Sequence, residues 1–149
     1  MSGLINSAGS KSGVIGTTEL EYEYGTWTGT FTDGSNNTGM DNNTGSYVRI
    51  GNSVTILGYF VCNNIASASG EMYLSGLPFA SNTIGSGAVA YGIGLNGIPT
   101  GGNLAIRIVA GQTYLTLDLW DTTTGTTQLT SGELGSAGRI QMSATYTIN

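Results

Sequence analysis

The side chains with the most chemical potential in this chain are its carboxylates. Asp118 and Asp121 stand close together, and Glu19, Glu21 and Glu23 alternate along one extended run. Acid–base cleavage of a glycosidic bond needs only two carboxyl groups, but they must face each other at ~5–10 Å across a sugar. Residues at i and i+2 of a strand stand about 7 Å apart and point in parallel, so the glutamates bracket no bond. Asp121 opens the stretch Asp121-Thr122-Thr123-Thr124-Gly125, a hairpin-type turn in which its side chain has backbone to bond. The chain has no histidine, which removes the commonest general base and all Ser-His-Asp or Cys-His machinery. Its one cysteine, Cys62, forbids an intrachain disulfide and a cysteine-rich zinc site. Cys62 lies in an apolar run without a positive neighbour, which fits a buried small hydrophobe better than a reactive thiol. The expectation is no enzymatic activity, no cofactor and no resident metal.

One oxygen-rich loop, Asp33-Gly34-Ser35-Asn36-Asn37-Thr38-Gly39-Met40-Asp41-Asn42-Asn43, has the composition of a calcium site. It departs from the EF-hand pattern: its glycine is one place late, and Thr44 stands where a bidentate Glu belongs. A solvated loop tip is the simpler reading. Asn36-Asn37-Thr38 and Asn42-Asn43-Thr44 match glycosylation acceptors, but residues 1–11 lack the continuous apolar stretch of a secretory signal.

Aromatic residues with polar handles are the main binding feature. Eight Tyr and two Trp sit among abundant Asn and Thr. Tyr114 and Trp120 share one side of a strand with Thr116 and Asp118, opposite Leu115, Leu117 and Leu119. That side is a subunit interface, a second buried layer or a sugar-stacking platform. Tyr59, on the second face of the most apolar strand, belongs to the same group of interface or glycan-platform candidates.

The elements that position these residues follow from composition and period. The chain has 149 residues, a length that suits one domain. Gly, Ser, Thr and Asn make up roughly half of it, and only 9% is charged, which disfavours helices and favours strands joined by tight turns. A net charge of −5 argues against nucleic acid, and no apolar run reaches the ~18 residues of a membrane helix. From Thr18 onward the period is two. Leu20, Tyr22 and Tyr24 form an apolar side opposite the glutamates, and Trp27 and Phe31 alternate with threonines. Val54, Ile56, Phe60 and Cys62 oppose Leu57, Tyr59 and Val61 in a strand apolar on both faces, which wants a partner on each. Val89, Tyr91, Ile93 and Leu95 oppose a small-residue side of Ala88, Ala90, Gly92 and Gly94. The last strand puts Ile140, Met142, Ala144, Tyr146 and Ile148 inward. About eight to ten strands at this spacing predict an all-β, antiparallel, jelly-roll-like β-sandwich over residues 19–149. Residues 1–18 read either as a floppy terminus or as a flexible attachment arm whose apolar pairs, Leu4-Ile5 and Val14-Ile15, anchor it to a neighbouring subunit or a larger particle.

Three segments carry a family resemblance. Glu23-Tyr24-Gly25-Thr26-Trp27-Thr28 is similar to the E-x-G-T-W-T opening of tail-fibre-like structural proteins of bacteriophages. Gly45-Ser46-Tyr47-Val48-Arg49-Ile50-Gly51-Asn52-Ser53-Val54 is similar to their G-x-Y-x-[KR]-I-G-x-x-V segment. Ser69-Gly70, followed by Leu74-Ser75-Gly76-Leu77-Pro78-Phe79, resembles their S-G…G-L-P-F segment. Gly29 stands where the family usually carries Pro, and the C-terminal half has no counterpart motif. The resemblance implies a non-enzymatic protein of the virion surface, a homotrimer of β-sandwich heads. Its role is that of a tail-fibre-like adhesin or a capsid decoration (cement) subunit. Its partners are other virion proteins, met through Leu4, Ile5, Val14 and Ile15, and a host surface glycan. The alternative is a free carbohydrate-binding module.

Overall fold

The computed structural model describes residues 21–98, 102–122 and 125–149. The arm, with Leu4, Ile5, Val14 and Ile15, lies outside the described residues, as do Glu19 and Leu20. The described chain is antiparallel β throughout, apart from one helical turn. Its strands are β1 (Tyr22–Thr28), β2 (Thr30–Thr32), β3 (Gly39–Asn42), β4 (Thr44–Ile50), β5 (Ser53–Asn64), β6 (Tyr73–Ser75), β7 (Gly85–Ile93), β8 (Leu104–Ile108), β9 (Tyr114–Thr122), β10 (Gly125–Gln128) and β11 (Arg139–Thr147). The turn α1 (Ser131–Leu134) is held by a reciprocal cap between Thr130 and Glu133.

All eleven strands belong to one sheet, ordered β1-β4-β5-β11-β7-β8-β9-β6-β2, with β10 on β9 and β3 on β5. Strands β1 and β2 sit at opposite ends of that order, yet only Gly29 separates them in sequence. The sheet therefore wraps into a nearly closed barrel whose seam is a single residue. A Cβ at Gly29 would stand 2.6 Å from the Phe60 ring, 3.0 Å from Trp27 and 3.1 Å from Leu74, so only glycine lets the strand turn this corner.

The barrel is filled by the inward residues of every wall. Phe31, Ile56, Phe60, Leu74, Ile108, Leu115, Leu119 and Ile140 are fully buried. Phe60 is the hub, tilted against Trp27 at 5.1 Å and edge-on to Phe31 at 6.3 Å between ring centroids. The indole N–H of Trp27 donates to the Leu57 carbonyl at 3.2 Å, so the buried ring keeps its polar atom satisfied. Strand β11 shows the alternation read from the sequence, buried at every even position from Ile140 to Tyr146 and exposed at every odd one.

Two expectations change, and the facing of β1, which the sequence leaves open, is set. The strand count rises to eleven because the polar loop after Asp33 contains β3, which pairs with Met40 opposite Cys62. The apolar side of β1 faces outward, with Tyr24 74% exposed. The reason is Arg49, seated 5.5 Å over the Phe79 ring and donating to the Gly51 carbonyl at 2.9 Å. It draws Glu21 and Glu23 to the inner side through ion pairs, and the tyrosines take the other side. Strand β7 breaks its alternation at a bulge: Gln141 pairs with Tyr91 and Met142 with Val89, which leaves Ala90 as the extra residue. Val89 keeps the inward phase, while Tyr91 and Ile93 turn out and Gly92 turns in.

Candidate functional site

Several of the described carboxylates are held by structural duties. Asp118, nearly buried, takes two bonds from the Arg107 guanidinium, at 2.7 and 3.3 Å. Asp121 accepts from the Thr127 hydroxyl at 2.6 Å and, three residues on, projects to the other side of β9. These two carboxyls do not converge. Glu23 accepts from the Tyr47 hydroxyl at 2.6 Å, which pushes that phenol's pKa up. Asp33 accepts from the backbone N–H groups of Ser35, Asn36 and Ser69 and from the Asn36 side chain. Those bonds hold its carboxyl far below the usual carboxylate range. Cys62 is buried, and burial pushes its thiol up. Among the described residues, no three His, Cys, Asp or Glu side chains cluster as metal ligands would.

What the fold does assemble is a surface. Five adjacent strands, β1, β4, β5, β11 and β7, form one wall, and their registers place the outward residues in rows. At one end stand Tyr22, Ile50, Ser53 and Thr147. The next row is Tyr24, Val48, Thr55, Thr145 and Ser86, in which the Thr55 and Thr145 hydroxyls meet at 3.1 Å. Then come Thr26, Ser46, Leu57, Ser143 and Ala88, followed by Tyr59, Gln141 and Tyr91, and finally Val61, Arg139 and Ile93. Arg139 is the single charge among these outward positions. Of the large apolar side chains exposed on the described chain, Tyr22, Tyr24, Ile50, Leu57, Tyr91 and Ile93 all lie on this wall. An exposed face rich in tyrosine and poor in charge has the composition of a protein interface core rather than of ordinary surface.

The wall has relief. Tyr59, Tyr91 and Gln141 line a shallow depression of ≈ 440 Å³. A neighbouring groove of ≈ 390 Å³ runs along Thr26, Ser46 and Leu57 and shares Tyr59 and Gln141 with it. The double apolarity of its strand points to Tyr59 from sequence, whereas the position of Tyr91 depends on the bulge at Ala90.

Tyr114 and Trp120 sit elsewhere. Strand β9 lies four strands from β5 one way round the barrel and five the other, so these residues occupy the opposite wall. Tyr114 stacks edge-on against Tyr73 at 4.9 Å, while Trp120 is 59% exposed. Six residues apart on one strand, they stand roughly 20 Å from each other. The structure thus brings Tyr59 together with Tyr91 and Gln141, and joins Tyr59 to neither Tyr114 nor Trp120.

Fold and site together define a small all-β barrel-like domain whose most developed feature is a tyrosine-rich outer wall. In fold the chain is similar to the crystal structure of the Dettilon tailspike protein (gp208), with a TM-score of 0.71 and 17% identity over 86% of this chain. The match covers 24% of the tailspike, so the chain spans about a quarter of that protein's length. No protein-family model and no curated protein matches the chain.

Proposed function

We propose that this chain is a non-enzymatic structural protein of a bacteriophage particle. It forms a homotrimeric, jelly-roll-like head on the virion surface, joined to other virion proteins by residues 1–18. The observation that carries this reading is the outer wall of β1, β4, β5, β11 and β7. A monomer leaves its tyrosines, leucine and isoleucines in water, whereas a closed cyclic assembly buries them. The tailspike likeness in fold and the tail-fibre-like motifs over residues 19–80 support a particle-surface role, as adhesin or as capsid decoration. Deleting residues 2–17 should leave a folded oligomeric head that no longer joins the particle. Undiminished incorporation of the truncated protein contradicts the anchoring role.

A second reading is favoured by one observation, the depression between Tyr59, Tyr91 and Gln141, where two rings and an amide offer stacking and hydrogen bonds to a sugar. On that reading the chain is a carbohydrate-binding module. A glycan array separates the two: Tyr59→Ala abolishes array binding in the second case and lowers the oligomer mass in the first.

A further inference from the structure

Strand β1 ends the sheet order, and among the described residues it pairs with β4 alone, so its other edge is open. The Gly51 N–H donates to the Glu21 carbonyl at 2.7 Å, and the Gly29 N–H to the Asn43 carbonyl at 2.8 Å. Those two bonds fix the phase of the ladder. Odd-numbered residues of β1 bond to β4, while Tyr22, Tyr24 and Thr26 aim their N–H and C=O groups at the open edge. Among the described residues none of these groups has a backbone partner, and all three residues are exposed. A row of exposed, unpaired backbone groups is a template for another strand. The charges beside the edge say which strand fits. Glu21 and Glu23 project on the side of Arg49 and Tyr47, opposite to Tyr22 and Tyr24, and the two carboxylates share the one Arg49 guanidinium. Arg107 is bonded to Asp118, and Arg139 stands at the far end of β11 from the row of Tyr22, Ile50 and Ser53. The remaining cation is Lys11, the only lysine, a short way before Glu21 in the same chain.

We propose that residues 10–15 return along the open edge of β1 in their own copy as an added antiparallel strand, with residues 16–20 as the turn. A five-residue connection containing a glycine, here Gly16, is a common hairpin loop. It sets Ile15 opposite Glu21, Val14 opposite Tyr22, Gly13 opposite Glu23, Ser12 opposite Tyr24 and Lys11 opposite Gly25. Val14 then packs beside Tyr22 on the tyrosine side. Lys11 stands on the glutamate side, diagonal to Glu23 and within reach for a long side chain. Gly13 and Gly25 carry no side chain to come between them. A shift of one residue would put Lys11 among the tyrosines and Val14 against the carboxylates, so charge and apolarity select the same phase. Of the two apolar pairs, this leaves Leu4-Ile5 for other virion proteins. The pairing does not depend on how the outer wall associates.

The test is hydrogen exchange of the full chain, followed amide by amide at several protein concentrations, beside full-length Lys11→Glu and Lys11→Arg. The amides of Glu23, Gly25 and Trp27 bond to β4 and serve as the internal reference. Those of Tyr22, Tyr24 and Thr26 should exchange at least ~10-fold more slowly than in an open chain, at every concentration. Lys11→Glu should speed these three several-fold and leave the reference amides unchanged, whereas Lys11→Arg should keep the native rates. Open-chain exchange at Tyr22, Tyr24 and Thr26 overturns the proposal, as does protection that Lys11→Glu leaves intact. Protection that fades on dilution means a strand from a second copy and overturns pairing within the chain.

Discussion

The seam at Gly29 makes a sharp test of how the barrel closes. Gly29 is not among the residues with positive φ, so Gly29→Ala adds no backbone strain and isolates the steric term. The new Cβ would lie 2.6 Å from Phe60 Cε1, where ordinary contact is near 3.5–4 Å, with Trp27 and Leu74 closing the other sides. All three neighbours are buried core residues, so none can swing into solvent. Overpacking of this kind costs about 1–3 kcal/mol. For a domain of this length each kcal/mol lowers Tm by roughly 2–4 °C, which puts the expected drop at about 2–12 °C. Phe60→Leu removes the closest obstacle and by itself costs on the order of 1–3 kcal/mol through the space it leaves. In the double variant the methyl occupies part of that space, so the two losses should fall short of their sum by ~0.5 kcal/mol or more. The assay is urea unfolding of the four proteins at one fixed concentration, because the proposed self-association would make stability concentration-dependent. A neutral Gly29→Ala, or strict additivity with Phe60→Leu, refutes the seam as described.

Other consequences are more local. Arg107→Ala leaves the nearly buried Asp118 carboxylate without its two donors and should destabilise by on the order of 1–3 kcal/mol in denaturant titration. Arg107→Lys should recover only part of this, since one ammonium cannot reproduce the forked contact. The Tyr146 phenol donates to the Phe79 carbonyl at 3.1 Å, and burial pushes its pKa up to about 12. Below pH 10 both folded and unfolded chains hold that proton, so the group is silent. Between pH 10 and about 12 only the unfolded chain gives it up, and stability should fall with rising pH; Tyr146→Phe should flatten that part of the profile. Asp33→Ala frees the N–H groups of Ser35, Asn36 and Ser69, so hydrogen exchange at those three amides should accelerate while β11 keeps its protection. Because the Asp33 carboxyl is held far below its ordinary value, the order it gives this turn should persist in mild acid and fade only in strong acid.

Much of the architecture can be read from period-two patterning where both neighbours of a strand are regular. Strand β11 alternates without a break between β5 and β7, and the sequence pattern of 139–148 matches its burial residue by residue. The inward set Val54, Ile56, Phe60 and Cys62 and the outward Leu57 and Tyr59 were equally legible, because β5 is central and long. What escaped depends on contacts distant in sequence. The facing of Tyr22 and Tyr24 is decided by Arg49 on the neighbouring strand and by the Phe79 ring beneath it, which no local period encodes. The bulge at Ala90 is fixed by pairing with Gln141 and Met142, fifty residues on, and it alone brings Tyr91 beside Tyr59. The loop after Asp33 looked too polar for a strand. Yet β3 needs only the open edge of β5 and the space beside Cys62, and Gly39 and Met40 fit both. Period two puts Tyr114 and Trp120 on one side of β9, but which wall of the barrel that side belongs to depends on the whole strand order and is not deducible from that strand alone.

The outer wall carries the account, and sedimentation equilibrium of the full chain beside Leu57→Glu addresses it most directly. Leu57 is half exposed at the centre of the wall and buries nothing of the barrel interior, so the variant should fold with an unchanged β-sheet circular dichroism spectrum. The native chain should sediment at three times its 15.3 kDa and the variant at a single chain mass. A native chain that sediments as one copy, or a Leu57→Glu variant that assembles as the native chain does, contradicts the account.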